Sequence, residues 1–344
     1  MTLLLSRGDV EALLTPSVCI AAVEDAFRQL AQGKVPPPGI LGMHAGEGSF
    51  HVKAGFLTQD RPYFAAKLNA NFPQNGKRHG LPTIQGVVIL CDAANGAPLA
   101  VMDSMAITAL RTAAATAVAA MHLAPEHCDA ALICGCGGQA ATQLRALLRV
   151  RRPARVYAYD QDLEKARQFA TSQEAELAIE VSAVPDLGEA VAASRIIVTC
   201  TTAQRYFITR DMVKPGTFVA AVGADSEKKQ EIEPALMASA TVVTDLTDQA
   251  CAIGDLHHAI AAGAMSREQV HAELGEVVAG KRRGRMNATE IVVFDSTGTG
   301  LQDVAAAIAA YRKAVDTQVG GFVFGDQGQL NTQGLATFMP RHNR

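Results

Sequence analysis

The sequence predicts an α/β fold, in which a doubly wound parallel sheet is joined to a smaller α+β domain. Two observations predict the parallel sheet: a glycine-rich turn between an apolar run and a helical stretch in residues 130–160, and later β-branched runs separated by helical stretches. A third observation predicts the second domain, because residues 49–103 alternate apolar and polar side chains, as antiparallel strands do.

The overall composition limits the kind of protein this chain forms. It has 344 residues, of which 49% are hydrophobic and 19% charged, and its net charge is −3. This length allows two domains with sizeable cores, and this charge gives no reason to expect nucleic acid as a partner. Seven cysteines without a Cys-x-x-Cys pair indicate a reducing compartment and argue against disulfides or a bound metal. Because we find no signal-peptide pattern and no uninterrupted run of twenty apolar residues, we expect a cytoplasmic protein without a membrane partner.

The N-terminal region begins with a predicted helix. Thr15-Pro16 is an N-cap followed by a first-turn proline, and apolar residues then recur at helical spacing. Two later strand-like runs, 86–92 and 97–103, flank Asn95-Gly96, a dipeptide typical of tight hairpin turns. Residues 1–103 are therefore predicted to form a mostly antiparallel α+β unit.

The glycine-rich turn reads Gly135-x-Gly137-x-x-Ala140 and is followed by a helix. Gly135 permits a tight turn, Gly137 lets the backbone approach a pyrophosphate, and Ala140 lets the helix pack closely on the sheet. The helix N-terminus then presents free N–H groups to the anion. Asp160 ends the next apolar run, where a carboxylate accepts hydrogen bonds from the ribose hydroxyls of NAD and repels the 2′-phosphate of NADP. The pattern predicts a Rossmann-type site for NAD rather than NADP.

The alanine-rich stretch 107–124 is predicted to be a buried helix in which Arg111 is the only Lys, Arg, Asp or Glu. An unpaired buried arginine is costly, so its side chain either forms an internal ion pair or meets an anionic ligand. The helix directly precedes the nucleotide-binding strand, which favours the ligand contact.

Farther along, predicted strands alternate with helices at 195–200, 217–223, 240–245 and 290–295. Small polar residues follow three of these strands, at Thr201-Thr202, Gly223-Ala-Asp225 and Ser296-Thr-Gly298. Ligands bind beyond the carboxyl ends of parallel strands, so these residues should meet over the cofactor. Asp225 has a second interpretation as the cap of a following helix.

Seven spaced motifs occur in this order: Lys67, Gly80-Leu-Pro82 with Gln85-Gly86, Ala100-Val-Met-Asp103, Leu110-Arg-Thr-Ala-Ala-Ala115, Gly135-Cys-Gly-Gly-Gln139, Val222-Gly-Ala-Asp225, and Phe294-Asp-Ser-Thr-Gly298 followed by Gln302-Asp303. Together they resemble the ornithine cyclodeaminase and mu-crystallin family. The resemblance implies a homodimer of two-domain subunits, with a substrate-binding and dimerisation domain at 1–121 and 305–344 and an NAD-binding Rossmann domain at 122–304. It also implies hydride transfer between nicotinamide and the α-carbon of a small amino or imino acid.

By position, the resemblance assigns two residues to catalysis, Lys67 and Asp225, of which Asp225 faces the substrate amine. Arg111 and Lys67 bind the substrate carboxylate. The pyrophosphate contacts are Thr112 and Gly137-Gly138-Gln139, and Asp160 takes the adenosine ribose. The candidate cofactor residues are Thr112, Gly135, Gly137, Gly138, Gln139, Asp160, Thr201, Val222, Gly223, Lys229, Ser296 and Gly298.

One departure from the family pattern concerns the substrate. An arginine that often follows the first helix is replaced here by Pro36-Pro-Pro-Gly-Ile40, and Lys53 is the candidate for the missing positive charge. An imino-acid reductase or amino-acid dehydrogenase is therefore the leading hypothesis. The alternative is a cyclodeaminase that converts ornithine to proline and ammonia, or acts on lysine, with catalytic NAD. A mu-crystallin-like binding protein is the third hypothesis, and the presence of both Lys67 and Asp225 argues against it.

Overall fold

The structure, a computed structural model, describes residues 2–322, which divide into two compact units. Unit 1 comprises residues 2–22, 33–111 and 300–322, and unit 2 comprises residues 23–32 and 112–299.

The first part of the chain forms β1 (Leu3–Leu5), α1 (Arg7–Leu13), α2 (Pro16–Ala31), β2 (Gly39–Ala45), β3 (Gly48–Thr58), β4 (Pro62–Asn71), α3 (Asn75–His79), β5 (Ile84–Asp92), β6 (Pro98–Asp103) and α4 (Ser104–Leu123). The middle part forms β7 (Ala130–Cys134), α5 (Ala140–Val150), β8 (Arg155–Tyr159), α6 (Leu163–Leu177), β9 (Glu180–Ala183), α7 (Leu187–Ala193), β10 (Ile196–Thr199), β11 (Gln204–Ile208), β12 (Phe218–Ala221) and β13 (Gln230–Ile232). The last part forms α8 (Pro234–Ser239), β14 (Thr241–Thr244), α9 (Thr247–Ile253), α10 (Asp255–Ala261), β15 (Ala272–Glu273), α11 (Leu274–Val278), β16 (Val292–Asp295), α12 (Gly300–Thr317) and β17 (Gly321–Phe322).

The boundaries of the two units differ from the ranges expected from the sequence. The expected boundaries are 121/122 and 304/305, whereas the division falls at 111/112, which also lies inside α4, and at 299/300, with residues 23–32 assigned to unit 2 as well. The reason is that α12 belongs to unit 1 from its first residue, while α4 contributes its first turns to unit 1 and its remainder to unit 2. The expected C-terminal range also includes residues 323–344, which lie outside the described residues.

Unit 1 contains a seven-stranded sheet in the order β17-β1-β6-β5-β4-β3-β2. Neighbouring strands are antiparallel except for β1 and β6, which are parallel. The hairpin predicted around Asn95-Gly96 joins β5 to β6, and Gly96 adopts the positive φ of 77° that this turn requires. Helix α12 packs against β3, β4 and β5. This face of the sheet therefore carries the core of unit 1.

Unit 2 contains the predicted parallel sheet, in the strand order β15-β14-β16-β12-β10-β7-β8-β9. Strands β7, β10, β12 and β16 are buried along their whole length, as expected for strands covered on both faces. The chain runs outward from β7 through β8 to β9 and then returns to β10, so the strand order reverses between β7 and β10. Ligands of doubly wound sheets bind at the carboxyl ends of the strands beside this reversal.

Among the helices of residues 2–322, α4 has the length and mean hydropathy, 1.3, of a membrane span, but 72% of its apolar window is buried inside the protein. Its alanines and valine pack in the core, where seven consecutive residues from Ala113 to Ala119 are at most 1% exposed. This burial is the behaviour of a core helix.

Candidate active site

The glycine-rich turn lies directly after β7, as predicted. Gly135 has a φ of 92°, and a Cβ built on it would lie 2.8 Å from Cγ2 of Thr201, so both backbone and space require glycine. Around Gly137 and Gly138 no protein atom lies within 4 Å of an added Cβ. Neither backbone conformation nor protein packing in the described residues demands these two glycines, and the space beside them is open to a ligand.

Asp160 is held against this turn. It follows β8, and its Oδ2 accepts a 2.9 Å hydrogen bond from the N–H of Cys136, while its Oδ1 accepts one of 2.9 Å from the N–H of Asp162. Within the described chain, the backbone N–H groups of Gly137, Gly138 and Gln139 donate to no acceptor. A carboxylate beside three free N–H groups at the start of α5 is an arrangement that fits a ribose and a pyrophosphate.

The carboxyl ends of the central strands are joined by buried acids that the sequence analysis did not single out. Thr201 and Gly223 both donate to the fully buried Glu231. Gly298 donates its N–H to Oδ2 of buried Asp245 at 2.6 Å. Three predicted cofactor residues therefore have donors already engaged by the protein. No local pattern in the sequence distinguishes Glu231 and Asp245 from the other acidic residues of the chain.

Two further predicted cofactor residues, Val222 and Ser296, lie at the ends of these strands. Val222 is buried, and its N–H donates to the carbonyl of Thr199 at 2.9 Å. Ser296 is 3% exposed, and among residues 2–322 its Oγ finds no hydrogen-bond partner. A buried hydroxyl without a partner is unfavourable, and the carboxamide of a nicotinamide ring would satisfy it.

Asp225 and Lys229 are brought together by a turn after β12. Nζ of Lys229 lies 2.7 Å from Oδ1 of Asp225, whose side chain is 54% exposed. The interpretation of Asp225 as a helix cap is wrong, because no helix follows it in this part of the chain. The carboxylate of Asp225 is therefore accessible to solvent and paired with a cation.

In unit 1, the predicted substrate residues Lys67 and Arg111 converge on one buried carboxylate. Nζ of Lys67 and Nε of Arg111 lie 2.9 Å and 3.0 Å from the same oxygen, Oδ1 of Asp303. The side chains of the three residues are at most 6% exposed. Nη1 of Arg111 also donates to Oε1 of Gln302 at 2.8 Å, and Lys53 lies opposite Lys67 in the β3–β4 register. We call Lys53, Lys67, Arg111, Gln302 and Asp303 the cationic cluster.

Burial and charge set the ionisation of this cluster. Burial, together with the neighbouring cations Arg111 and Lys53, lowers the pKa of Lys67 to about 7, although Asp303 acts to raise it. Burial alone would raise the pKa of Asp303, but Lys67 and Arg111 outweigh it and hold that pKa below its ordinary value. Asp303 therefore stays ionised, and Lys67 changes charge near neutral pH.

The cluster retains unused hydrogen-bonding capacity. In residues 2–322, Oδ2 of Asp303 and Nε2 of Gln302 are buried without partners, and Nη2 of Arg111 donates no hydrogen bond. The internal ion pair expected of a buried arginine is thus present, and it leaves the second amino group of the guanidinium available to an anion. From the sequence alone, Gln302-Asp303 belongs to the last of the seven motifs but has no assigned role. The available signal was the need of buried Arg111 for a carboxylate.

No group of three His, Cys, Asp or Glu side chains in the described residues is arranged to hold a metal ion.

Thr112, the remaining predicted cofactor residue, is 8% exposed on α4, and its carbonyl accepts a hydrogen bond from Oγ1 of Thr116.

A family model for ornithine cyclodeaminase/mu-crystallin proteins matches residues 1–318. The chain belongs to this family. An iminosuccinate reductase of Paracoccus denitrificans is 35% identical over 315 residues, which cover 91% of this chain and 96% of that protein.

Solved structures of two further members are similar throughout. An archaeal alanine dehydrogenase dimer with bound NAD has a TM-score of 0.89 and 36% identity, covering 94% of this chain and 99% of that one. The Δ1-pyrroline-2-carboxylate reductase of Thermococcus litoralis, solved with NADH and L-proline, has a TM-score of 0.88 and 34% identity, covering 94% and 100%. A lysine cyclodeaminase structure is more distant, with 26% identity and a TM-score of 0.81 over 96% and 97% of the two chains.

Proposed function

We propose that this protein is an NAD(H)-dependent oxidoreductase that transfers a hydride between nicotinamide and the α-carbon of a small amino or imino acid. The observation that carries the proposal is the cationic cluster, which holds two cations on one acid and, among residues 2–322, leaves Nη2 of Arg111 without a hydrogen bond and so able to bind a substrate carboxylate. The three family members named above with more than 30% identity are a dehydrogenase and two reductases of such substrates.

In this proposal, Arg111 and Lys67 bind the substrate carboxylate, and Lys53 adds positive charge beside them. Arginine suits this task because its planar donors match the two oxygens of a carboxylate. Asp225 is the catalytic acid or base. It accepts a proton from the ammonium group in the oxidative direction and returns one to the nitrogen in the reductive direction.

The cofactor residues divide between the two halves of the parallel sheet. Asp160 accepts hydrogen bonds from the adenosine ribose, and the N–H groups of Gly137, Gly138 and Gln139 bind the pyrophosphate. Thr112 is a further pyrophosphate contact, Ser296 contacts the nicotinamide, and Thr201 and Val222 line the remainder of the cofactor site. NAD, when bound, supplies or accepts the hydride. The carboxylate of Asp160 favours NAD over NADP because it would repel a 2′-phosphate.

A cyclodeaminase of ornithine or lysine is the alternative, and likeness to the lysine cyclodeaminase supports it. That reaction requires an acid to hold the distal ammonium group of the substrate. Within unit 1, the cationic cluster contains one carboxylate, and both Lys67 and Arg111 already bind it. The charge balance of the cluster therefore favours a substrate with an anionic or apolar side chain.

We further propose that the protein is a cytoplasmic homodimer. The face of the unit 1 sheet that does not carry α12 exposes a group of large apolar side chains: Leu4, Leu41, Met43, Phe56, Leu68, Val87 and Ile89. A contiguous apolar surface of this kind is typical of an interface between subunits. The seven cysteines are all unpaired, as in a reducing compartment. Sedimentation equilibrium tests the dimer.

Absorbance of reduced nicotinamide tests the reaction. Purified protein is mixed with NADH and pyruvate plus ammonia, iminosuccinate or Δ1-pyrroline-2-carboxylate, and in parallel with NAD and ornithine or lysine. Net oxidation of NADH by an imino acid supports the proposal. Release of ammonia from ornithine or lysine without net change of NADH would instead establish the cyclodeaminase.

A further inference from the structure

Glu231 is a buried carboxylate at the centre of a hydrogen-bond network in unit 2. It lies in β13, is 0% exposed, and receives four hydrogen bonds. Its Oε1 accepts from the N–H of Thr201 at 2.7 Å and from the hydroxyl of the same residue at 2.6 Å. Its Oε2 accepts from the hydroxyl of Thr199 at 2.6 Å and from the N–H of Gly223 at 2.8 Å.

These four bonds join the ends of two neighbouring strands. Thr199 is the last residue of β10 and Thr201 follows it, whereas Gly223 follows β12, the parallel neighbour of β10. The fit is close, because a Cβ on Gly223 would lie 2.5 Å from the carboxyl group of Glu231. The carboxylate therefore sets the distance between the two turns.

Glu231 is itself held in place by a second buried acid. Oδ1 of Asp255 accepts the N–H groups of Glu231 and Ile232 at 2.8 Å and 2.9 Å. The N–H groups of Asp255 and Leu256 in turn donate to the carboxylate of Asp295, the last residue of β16. A chain of three buried acidic side chains thus connects the ends of β10, β12 and β16.

The position of this chain in the sheet indicates which part of a dinucleotide it serves. Doubly wound sheets bind one mononucleotide at each half, on either side of the reversal of strand order. The glycine-rich turn and Asp160 occupy the half formed by β7, β8 and β9. The other half, which contains β10, β12 and β16, is left for the nicotinamide mononucleotide.

We propose that Glu231 is a positioning residue that fixes the Thr201 and Gly223 turns in the geometry that binds the nicotinamide half of NAD(H). The inference rests on the proposed cofactor site and adds a residue to it. The negative charge matters for a geometric reason. Backbone N–H groups only donate, and one of them points at each carboxyl oxygen, so both oxygens must accept. Although burial raises the pKa of Glu231, the hydroxyl and backbone donors oppose this rise and favour the ionised form.

The variant Glu231→Gln tests this requirement in the full-length protein. An amide has one accepting oxygen, so either Thr201 or Gly223 then faces an NH₂ group with its N–H, and the two turns separate. Calorimetric titration with NADH and with 5′-AMP distinguishes the two halves of the site. We expect the Kd for NADH to rise at least about tenfold, equivalent to about 1.4 kcal/mol, and the Kd for 5′-AMP to change less than about twofold.

Two further variants control for a loss of folding. Ser194→Ala removes a buried 2.8 Å bond to the carbonyl of Ala190, at the other end of β10, and should lower the melting temperature without changing either Kd. Thr199→Val removes one of the four bonds to Glu231 and keeps both backbone donors, so it should raise the Kd for NADH by a smaller factor than Glu231→Gln. If Glu231→Gln does not fold, Thr199→Val takes its place: a higher Kd for NADH with an unchanged Kd for 5′-AMP supports the inference, and unchanged or equally raised Kd values overturn it.

An unchanged affinity for NADH in Glu231→Gln would overturn the inference, and so would equal weakening of NADH and 5′-AMP, which is the result of general structural damage. Failure of the wild-type protein to bind NADH would instead refute the proposed cofactor site. The two failures are therefore distinguishable.

Discussion

Replacing Asp303 by Asn tests the charge balance of the cationic cluster with little change of shape. Both cations contact Oδ1, which an asparagine retains as a carbonyl oxygen, while Oδ2 has no partner among the described residues. The substitution therefore removes charge and keeps the contacts. Arg111 would then be a buried cation without the Asp303 counterion, and buried Lys67 would be harder to protonate.

The size of the effect follows from the burial of the three side chains. Removing one partner of a buried ion pair destabilises a protein by about 3–5 kcal/mol, because the remaining charge is left without compensation. For a chain of 344 residues, the melting temperature should fall by roughly 4–7 °C. The matched control is Glu176→Gln, which makes the same chemical change in the exposed ion pair with Arg145, whose side chains are 39% and 45% exposed. The control should change stability by less than about 1 kcal/mol.

The pH dependence provides a second measurement. In Asp303→Asn, the raising effect of Asp303 on the pKa of Lys67 is absent, so that pKa falls below its wild-type value of about 7. Between that lowered pKa and about 7, the folded variant has lost the Lys67 proton, whereas folded wild type and both unfolded chains keep it, so the deficit in stability relative to wild type shrinks as pH rises toward about 7. Above about 7, Lys67 is neutral in both folded proteins and the deficit stays constant. Thermal unfolding at several pH values measures this. If Asp303→Asn is destabilised at pH 7 by no more than Glu176→Gln, the reasoning is refuted.

Three other predictions concern the proposed roles. Asp160→Ala should raise the Kd for NAD about tenfold through lost hydrogen bonds to the ribose and improve acceptance of NADP; an unchanged cofactor preference would contradict this role. Asp225→Asn should lower kcat at least about 100-fold with the Kd for NADH unchanged in a fluorescence titration, and a fully active variant would remove Asp225 from the mechanism. For wild type, kcat/KM should fall as pH rises through about 7, because only protonated Lys67 attracts the carboxylate. Lys67→Arg should move this fall to higher pH, and a flat wild-type profile from pH 6 to 9 would exclude the role.

Much of the parallel sheet was predictable because its signals are local. The turn from Gly135 to Ala140 and the acid at Asp160 lie within one βαβ unit. In this unit a backbone angle or a contact with a residue nearby in the chain determines which residue type is required. The Asn95-Gly96 hairpin was predictable for the same reason.

The boundaries of the two units and the partners of the charged side chains were harder to predict from the sequence. The expected boundary at 121/122 cuts α4, because periodicity shows that a helix exists but not which unit its turns pack against. Asp225 was open to interpretation as a helix cap until the structure placed Lys229 beside it and no helix after it.

The sequence by itself determined the fold class, because periodicity is a property of neighbouring residues, and the order of its motifs identified the family, whose resemblance made Lys67, Arg111 and Asp225 candidates. Only the tertiary structure decided that Lys67 and Arg111 share Asp303, which lies 236 and 192 residues away along the chain. It also decided that Glu231 joins two strand ends. The physical reason is that a buried charge must be compensated by whichever group the packing of distant elements brings within hydrogen-bond distance, and spacing along the chain does not encode that distance.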